Sequence, residues 1–433
     1  MTLSGPQAGD AQAQRKYDVV VFGATGFTGK LTAEYLAKTA PALRWALAGR
    51  SKDKLEAVRR ELAAIDGKLA SLDLLLADAA DPAALALVAK DARVVCTTVG
   101  PYLKYGRALA AACAEAGTHY CDLTGETPFV RASIDENHAR AQATGARIVH
   151  CCGFDSIPSD LGTWMLAEEF KARGRQIASA DLFVGPMRGA ASGGTIASMM
   201  TIFEQAAADR NVRRIAGDPY ALLPDRKVDR GPDKSDQMGV RFEERLQEWT
   251  GPFVMAAINT RIVRRTNALL GFRYGKGFRY SEVMSLGRGA KGLLRAGSLT
   301  AGLGGFVAVA ATGLGRKLLG KVLPSPGEGP DKAARDNGFF RIRILGEAVP
   351  DTGPALRLLA KVEGKSDPGY GETAKMLGET ALCLALDGAA LPAIGGVLTP
   401  ASAMGAPLLE RLRRAGMVFT VSTVAEQAAA KTG

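Results

Sequence analysis

At 433 residues the chain exceeds the size at which one hydrophobic core keeps growing, so two domains are expected, and 47% hydrophobic against 23% charged residues is enough to build proper cores. Six dispersed cysteines (Cys96, Cys113, Cys121, Cys151, Cys152, Cys383) and three scattered histidines (His119, His138, His150) exclude a small disulfide framework and a zinc cluster; reduced cytosolic thiols and no metal site are expected. The formal charge of +11 suits acidic partners: phosphorylated cofactors, acyl carrier proteins, anionic lipid or nucleic acid, or simply an alkaline enzyme.

Residues 1–15 carry no apolar core of the kind a secretory signal requires and read as a loose tail. Tyr17 to Phe22, YDVVVF, is an almost unbroken β-branched and apolar run, as in a central parallel strand covered on both faces. GATGFTGK (Gly23 to Lys30) follows at once, then a helical spacing over Leu31 to Thr39 and a second apolar strand, Trp45 to Ala48. In such a βαβ unit the loop ends at a helix N-terminus, where unpaired N–H groups can hold a pyrophosphate. Gly23 serves the tight turn, Gly26 the approach to the phosphates and Gly29 close helix–strand packing, with Thr25, Phe27 and Thr28 in the same loop. The spacing is GxxGxxG rather than GxGxxG, so the context carries the reading.

The second strand ends in AGRS. Arg50 and Ser51 stand where an NAD enzyme would carry Asp or Glu, and they suit the 2′-phosphate of NADP(H). Leu72 to Ala77 reads as a third strand ending at Asp78, which is expected near the adenine, and a helix is expected around Pro82 to Lys90. Arg93 to Val99 reads as the fourth strand, and its end, GPYLKYG from Gly100 and Pro101 onward, would receive the nicotinamide half.

GATGFTG, AGR, VVCTTVGPYLKYG, AACAEAGTHYCDLTGE and CCGFDSIPSDLG together resemble the saccharopine dehydrogenase-like oxidoreductases, in particular the branch of trans-acting enoyl reductases. The resemblance is specific over the first 165 residues. It implies an α/β fold: a Rossmann-type parallel sheet at 16–165, an α+β substrate domain with a mostly antiparallel sheet at 166–390, and a segment 391–433 returning to the Rossmann domain. That last segment is expected to carry a helix from about Pro407 to Ala415. The resemblance further implies NADPH-dependent reduction of an α,β-unsaturated acyl thioester. Such a reaction needs an acid and a charge-stabilising donor. Tyr102 or Tyr120 would give the proton and Lys104 would stabilise charge, with Asp122, Glu126, Asp155 and Ser156 at neighbouring strand ends; shaping turns and capping helices is the plainer role for each.

Farther along, DPYALLPDRKVDRGPDKSD reads as an exposed excursion near which an acyl carrier would dock. Arg261, Arg264, Arg265, Arg273, Lys276 and Arg279 form a basic concentration, either a solvated face or a greeting surface for a phosphopantetheine arm. Aromatics interleave with charge in GFRYGKGFRY, but no nucleic-acid module frames them. Residues 296–315 carry no charge, contain six glycines and are flanked by Arg288, Lys291, Arg295, Arg316, Lys317 and Lys321; a membrane-surface element, an acyl-covering flap and a bilayer span all stay open. GFFRIRILGEA and ALRLLAKVEG read as paired antiparallel strands.

Three functions remain: an NADPH-dependent enoyl thioester reductase, a saccharopine-type amino-acid dehydrogenase, and a membrane-associated NADP(H) binder without turnover. The expected partners are an acyl chain on a carrier protein or synthase, a peripheral membrane contact and a second copy in a homodimer, with no nucleic acid. The expected location is the cytoplasm, peripheral at a membrane.

Overall fold

The structure, a computed structural model, describes residues 14–189, 193–322, 329–352 and 355–424. Its strands form two seven-stranded sheets. β1 (Tyr17–Phe22), β2 (Trp45–Gly49), β3 (Asp73–Leu76), β4 (Ala92–Thr97), β5 (His119–Asp122) and β6 (Arg147–Val149) alternate with helices, and every pairing among them is parallel. The intervening helices are α1 (Phe27–Thr39), α2 (Lys52–Ala63), α3 (Pro82–Asp91), α4 (Arg107–Ala116) and α5 (Thr127–Thr144). With β13 (Gly396–Leu398) added, the order β13-β6-β5-β4-β1-β2-β3 reverses direction between β1 and β4, and ligands of open parallel sheets bind at such a switch point. β1 is buried at every position, as its unbroken apolar run requires.

The second sheet follows α6 (Ile157–Ala172). It comprises β7 (Ile177–Arg188), β8 (Arg241–Glu243), β9 (Glu248–Pro252), β10 (Arg279–Ser285), β11 (Phe339–Ala348), β12 (Arg357–Gly364) and β14 (Val418–Thr423). All its pairings are antiparallel except β7 with β10, and β11 and β12 pair as the alternating pattern predicts, Phe340 opposite Gly364. Between its strands lie α7 (Gly193–Ala208), α8 (Arg210–Gly217), α9 (Ala256–Leu269), α10 (Gly289–Ala310) and α11 (Gly313–Val322). α12 (Gly371–Leu386), β13 (Gly396–Leu398) and α13 (Pro400–Arg414) come after β12. α6 joins the two bodies. Gly162 on this helix leaves room for Ile344 and Val362 of the second sheet, and one continuous core runs from Val19 in β1 to Ile344 in β11.

Several expectations need correction. Residues 1–13 of the predicted tail lie outside the described residues; Arg15 does not belong to a loose tail, because it donates to the carbonyls of Ala89, Lys90 and Ala116. The return to the parallel sheet begins with α12, which packs on α1, β1, β4 and β5, well before residue 391. It is also incomplete: β13 joins the parallel sheet, but β14 crosses to the free edge of β12 in the second. α13 starts at Pro400 rather than near Pro407, with a break at Gly405 (φ +47°), where Trp164 closes against the backbone.

The basic concentration divides: Arg273, Lys276 and Arg279 are exposed, as on a solvated face, and the other three are not. Arg261, Arg264 and Arg265 are buried on α9, because the DPYALLPDRKVDRGPDKSD excursion folds back over them. Arg264 pairs with Asp233 at 2.7 Å, Arg261 with Asp236, and Arg265 donates to the carbonyls of Leu222 and Val397. Within the excursion Tyr220 to Leu223 are themselves core residues. In GFRYGKGFRY, Tyr274, Phe278 and Tyr280 are buried and pack on one another, so they cannot serve as an open stacking platform.

Candidate active site at the ends of the parallel strands

A cleft of about 650 Å³ opens over the C-terminal ends of all six N-terminal strands. Phe22 and Gly23 follow β1, Gly49 and Arg50 end β2, and Ala77 to Ala79 follow β3. Thr98 to Tyr102 follow β4, Leu123 and Gly125 follow β5, and Asp155 follows β6. The glycine loop forms one floor. Gly23 has φ +87°, and a Cβ there would come within 2.6 Å of Val99 Cγ2. A Cβ on Gly29 would lie 2.2 Å from the Gly23 carbonyl, so that position is held by contact inside the loop, behind the cleft wall.

α1 begins at Phe27 with Gly26 as its N-cap, and no side chain caps it and no acidic residue stands in its first turn. Its first N–H groups and positive dipole end are thereby left for an anion, which is the property a pyrophosphate site requires. Thr25, Gly26, Phe27 and Thr28 line the cleft beside it. Arg50 and Asp78 line the cleft as well; Ser51 is not on the wall, while Lys54, in the first turn of α2, is. Lys54 could have been found from the sequence, since it lies four residues past Arg50 on a helix starting at the strand end. The residues present therefore fit a dinucleotide carrying an extra phosphate: a glycine cradle, an uncapped helix and two cations on the wall.

The opposite half of the cleft is apolar. Met199, Ile202 and Phe203 of α7, Met255 and Ile258 at the start of α9, and Leu303, Phe306 and Val307 of α10 wall it. The Phe203 and Phe306 rings meet edge to face at 6.5 Å. Asp155 lines the cleft near Met255 of the apolar half. Its carboxyl lies beside Gly125, where a Cβ would come within 3.7 Å of Oδ2 and 3.3 Å of Met255 Cε. Burial, with the Asp122 carboxylate adding to it, pushes Asp155 up to about 7.

The three proposed catalytic side chains are placed differently from expectation. Tyr102 is buried, and its ring lines the cleft, but its hydroxyl donates to the Thr97 carbonyl at 3.2 Å and accepts from Leu123 N–H. Burial raises this phenol well above its ordinary value, so it ties the ends of β4 and β5 together. Tyr120 is fully buried off the cleft wall and donates to Asp122 at 2.9 Å. Neither hydroxyl is offered to a substrate. Lys104 lies outside the wall and faces Glu204 at 3.6 Å, with both side chains largely in solvent. Gly100 and Pro101 do line the cleft, and so does Asp155, which the sequence reading named only as a neighbour.

Two carboxylates hold the site from behind. Glu126, fully buried, accepts from the N–H groups of Tyr102 and Leu103 at 2.8 Å each and from Ser198 Oγ of α7 at 2.6 Å. Burial holds it above the ordinary carboxylate range despite these donors. Asp122 sits in a row with His150 and Ser133, with Nδ1 to Oδ2 at 2.7 Å and Nε2 to Oγ at 2.8 Å. The order copies a nucleophile, base and carboxylate. All three are buried and none lines the cleft, so the row fastens α5 to β5 and β6.

Residues 19–149 match the family model of the saccharopine dehydrogenase NADP-binding domain. The fold agrees: a saccharopine dehydrogenase from Saccharomyces cerevisiae aligns over 94% of this chain and 99% of its own, at a TM-score of 0.52 and 12% identity. The protein is thus an NADP(H)-dependent oxidoreductase of the saccharopine dehydrogenase-like class. A trans-acting enoyl reductase of Mycobacterium ulcerans is 44% identical over 423 residues, 95% of this chain and 99% of that one. A Mycobacterium tuberculosis protein that carries the same name provisionally is 45% identical over 425 residues, with the same coverage. The chain belongs to the trans-acting enoyl reductase family.

Proposed function

We propose that the protein reduces the carbon–carbon double bond of an α,β-unsaturated acyl thioester with a long apolar acyl portion, delivered by a carrier protein or synthase, and that Asp155 is the proton donor. One observation carries this reading: a single cleft has a nucleotide-shaped half and an apolar half, and the Asp155 carboxyl lines it near Met255.

Gly23 to Thr28 and the first turn of α1 would hold the pyrophosphate of NADPH, and Arg50 with Lys54 its 2′-phosphate. When bound there, the cofactor supplies the hydride that the β-carbon takes up. The chain's own residues supply the rest. Reduction at the β-carbon leaves the α-carbon needing a proton, and a carboxyl near 7 is still substantially protonated at neutral pH and poised to give it up. Gly125 adds no side chain beside Asp155, and water reprotonates the carboxylate after turnover. Met199, Phe203 and Phe306 take the acyl chain out of water, at roughly 25 cal/mol for each Å² of apolar surface covered. A substrate made of two dicarboxylic amino acids would have to bury its charges against these same side chains.

Following NADPH absorbance with crotonyl and progressively longer enoyl thioesters, and NADP reduction with saccharopine, tests the proposal. Oxidation of NADPH with thioesters, faster at low concentration as the chain lengthens, is expected. Turnover of saccharopine alone would overturn it, and tight NADPH binding without turnover of either would leave a binding protein.

A further inference from the structure

α10 has two faces with different duties. Leu303, Phe306 and Val307 on the inner face wall the cleft, and Gly292, Ala296 and Ala310 are buried against the body of the protein. The outer face and the following helix leave large aliphatic side chains in solvent: Leu294 and Leu314 are each 72% exposed, Leu318 is 55% and Leu293 45%. Six cations surround them, Arg288, Lys291, Arg295, Arg316, Lys317 and Lys321, and no acidic residue lies between Glu282 and Glu328. Among the described residues none of the six is in an ion pair.

We propose that α10 and α11 form a docking surface for an anionic lipid bilayer, seating the apolar end of the cleft on the membrane so that a lipid-like acyl substrate reaches it without crossing water. The inference deepens the acyl-substrate reading and rests on it for that last step only. Leu314 and Leu318 are one turn apart on α11, as are Lys317 and Lys321. This is the pairing with which interfacial helices bury aliphatic groups at the acyl boundary while lysine stems reach the headgroups. A second copy meeting this face with its own would set six cations against six. An acidic carrier protein would match the charge but gives no reason for aliphatic exposure along two successive helices. α10 is long and apolar enough to cross a bilayer, at 22 residues and a mean hydropathy of 1.4, yet a span would strip Leu303, Phe306 and Val307 from the cleft wall.

The test is co-sedimentation of the full chain with phosphatidylcholine vesicles, with and without phosphatidylglycerol. We expect pelleting with the anionic vesicles, about tenfold stronger than with neutral ones and weakened by salt. The double variants Leu294→Glu/Leu318→Glu and Lys317→Glu/Lys321→Glu should each lose it, while retaining NADPH binding and turnover of crotonyl thioester as proof of folding. Wild-type protein that stays in the supernatant, or variants that pellet equally, would overturn the proposal. So would self-association, or capture by an acidic acyl carrier protein, that disappears in the same variants while vesicles are ignored. A protein that pellets but reduces no thioester would sink the catalytic reading and leave the docking surface standing.

Discussion

The two halves of the cleft are built in opposite ways. The cofactor half is assembled from strand ends and the turns that leave them, with its glycine loop and helix start contiguous in sequence and fixed by main-chain hydrogen bonds, Gly23 N–H to the Ala48 carbonyl at 2.9 Å and Gly26 N–H to the Gly23 carbonyl at 3.0 Å. The acyl half comes from α7, α9 and α10, three helices spread over more than a hundred residues; α9 is bound into the body through Arg264, Arg265 and Thr266, and α7 is tied to it by Ser198 on Glu126. The contrast follows from the ligands. A dinucleotide of fixed shape favours preorganised donors, whereas an acyl chain is recognised by area, which apolar helix faces can supply over a range of lengths.

The largest test falls on the Asp155 carboxyl. Asp155→Asn should lower the rate of enoyl reduction by about 100- to 10,000-fold with NADPH affinity unchanged, measured by steady-state kinetics and fluorescence titration. In the wild type the rate should fall as pH rises through about 7, because the proton is lost there, and the variant should lack that limb. Stability carries the matching sign. A carboxyl raised in the folded state favours the fold at low pH, and this contribution disappears as pH climbs from the unfolded value near 4 to above about 7. The Asn variant should therefore melt no lower than wild type at alkaline pH, and a large drop there would mean that Asp155 is a structural group.

On the cofactor side, Arg50→Ala should weaken NADPH by about 10- to 100-fold and NADH hardly at all, the worth of one or two hydrogen bonds to a charged group. Equal weakening of both would break the assignment of that end of the cleft. On the acyl side, Phe306→Ala should raise KM several-fold for long enoyl thioesters and leave crotonyl thioester unchanged, since each methylene left unburied costs about 0.8 kcal/mol. The smallest effect is expected from Lys104→Ala: an exposed pair of this kind is worth about 0.2–1 kcal/mol, so kcat/KM should change less than about threefold. A loss of a hundredfold would restore Lys104 as a catalytic residue.

The same division decided what could be read in advance. The glycine loop, Arg50 and the paired strands β11 and β12 were legible because each is a local pattern whose structural consequence is also local. Arg261, Arg264 and Arg265 were not, because their neutralising partners Asp233 and Asp236 and the carbonyls of Leu222 and Val397 lie 25 or more residues away and only the fold brings them over α9. Tyr102 and Tyr120 sat at the right strand ends, but the direction of a hydroxyl depends on what the neighbouring strand presents, here Thr97 and Asp122. Asp155 did leave a signal: it is the acidic residue that follows the last strand of the N-terminal run, at the edge where parallel sheets place their chemistry.

Glu126 has a thermodynamic consequence. One carboxylate grips both the loop that would cradle the nicotinamide and the helix that covers the acyl chain, so neither can shift without disturbing the other's hydrogen bonds. Whatever ordering one ligand imposes is already complete for the next, which makes the two affinities reciprocal: each ligand should tighten the other by the same factor. An active site that fills in this way holds its hydride donor most firmly when there is something to reduce.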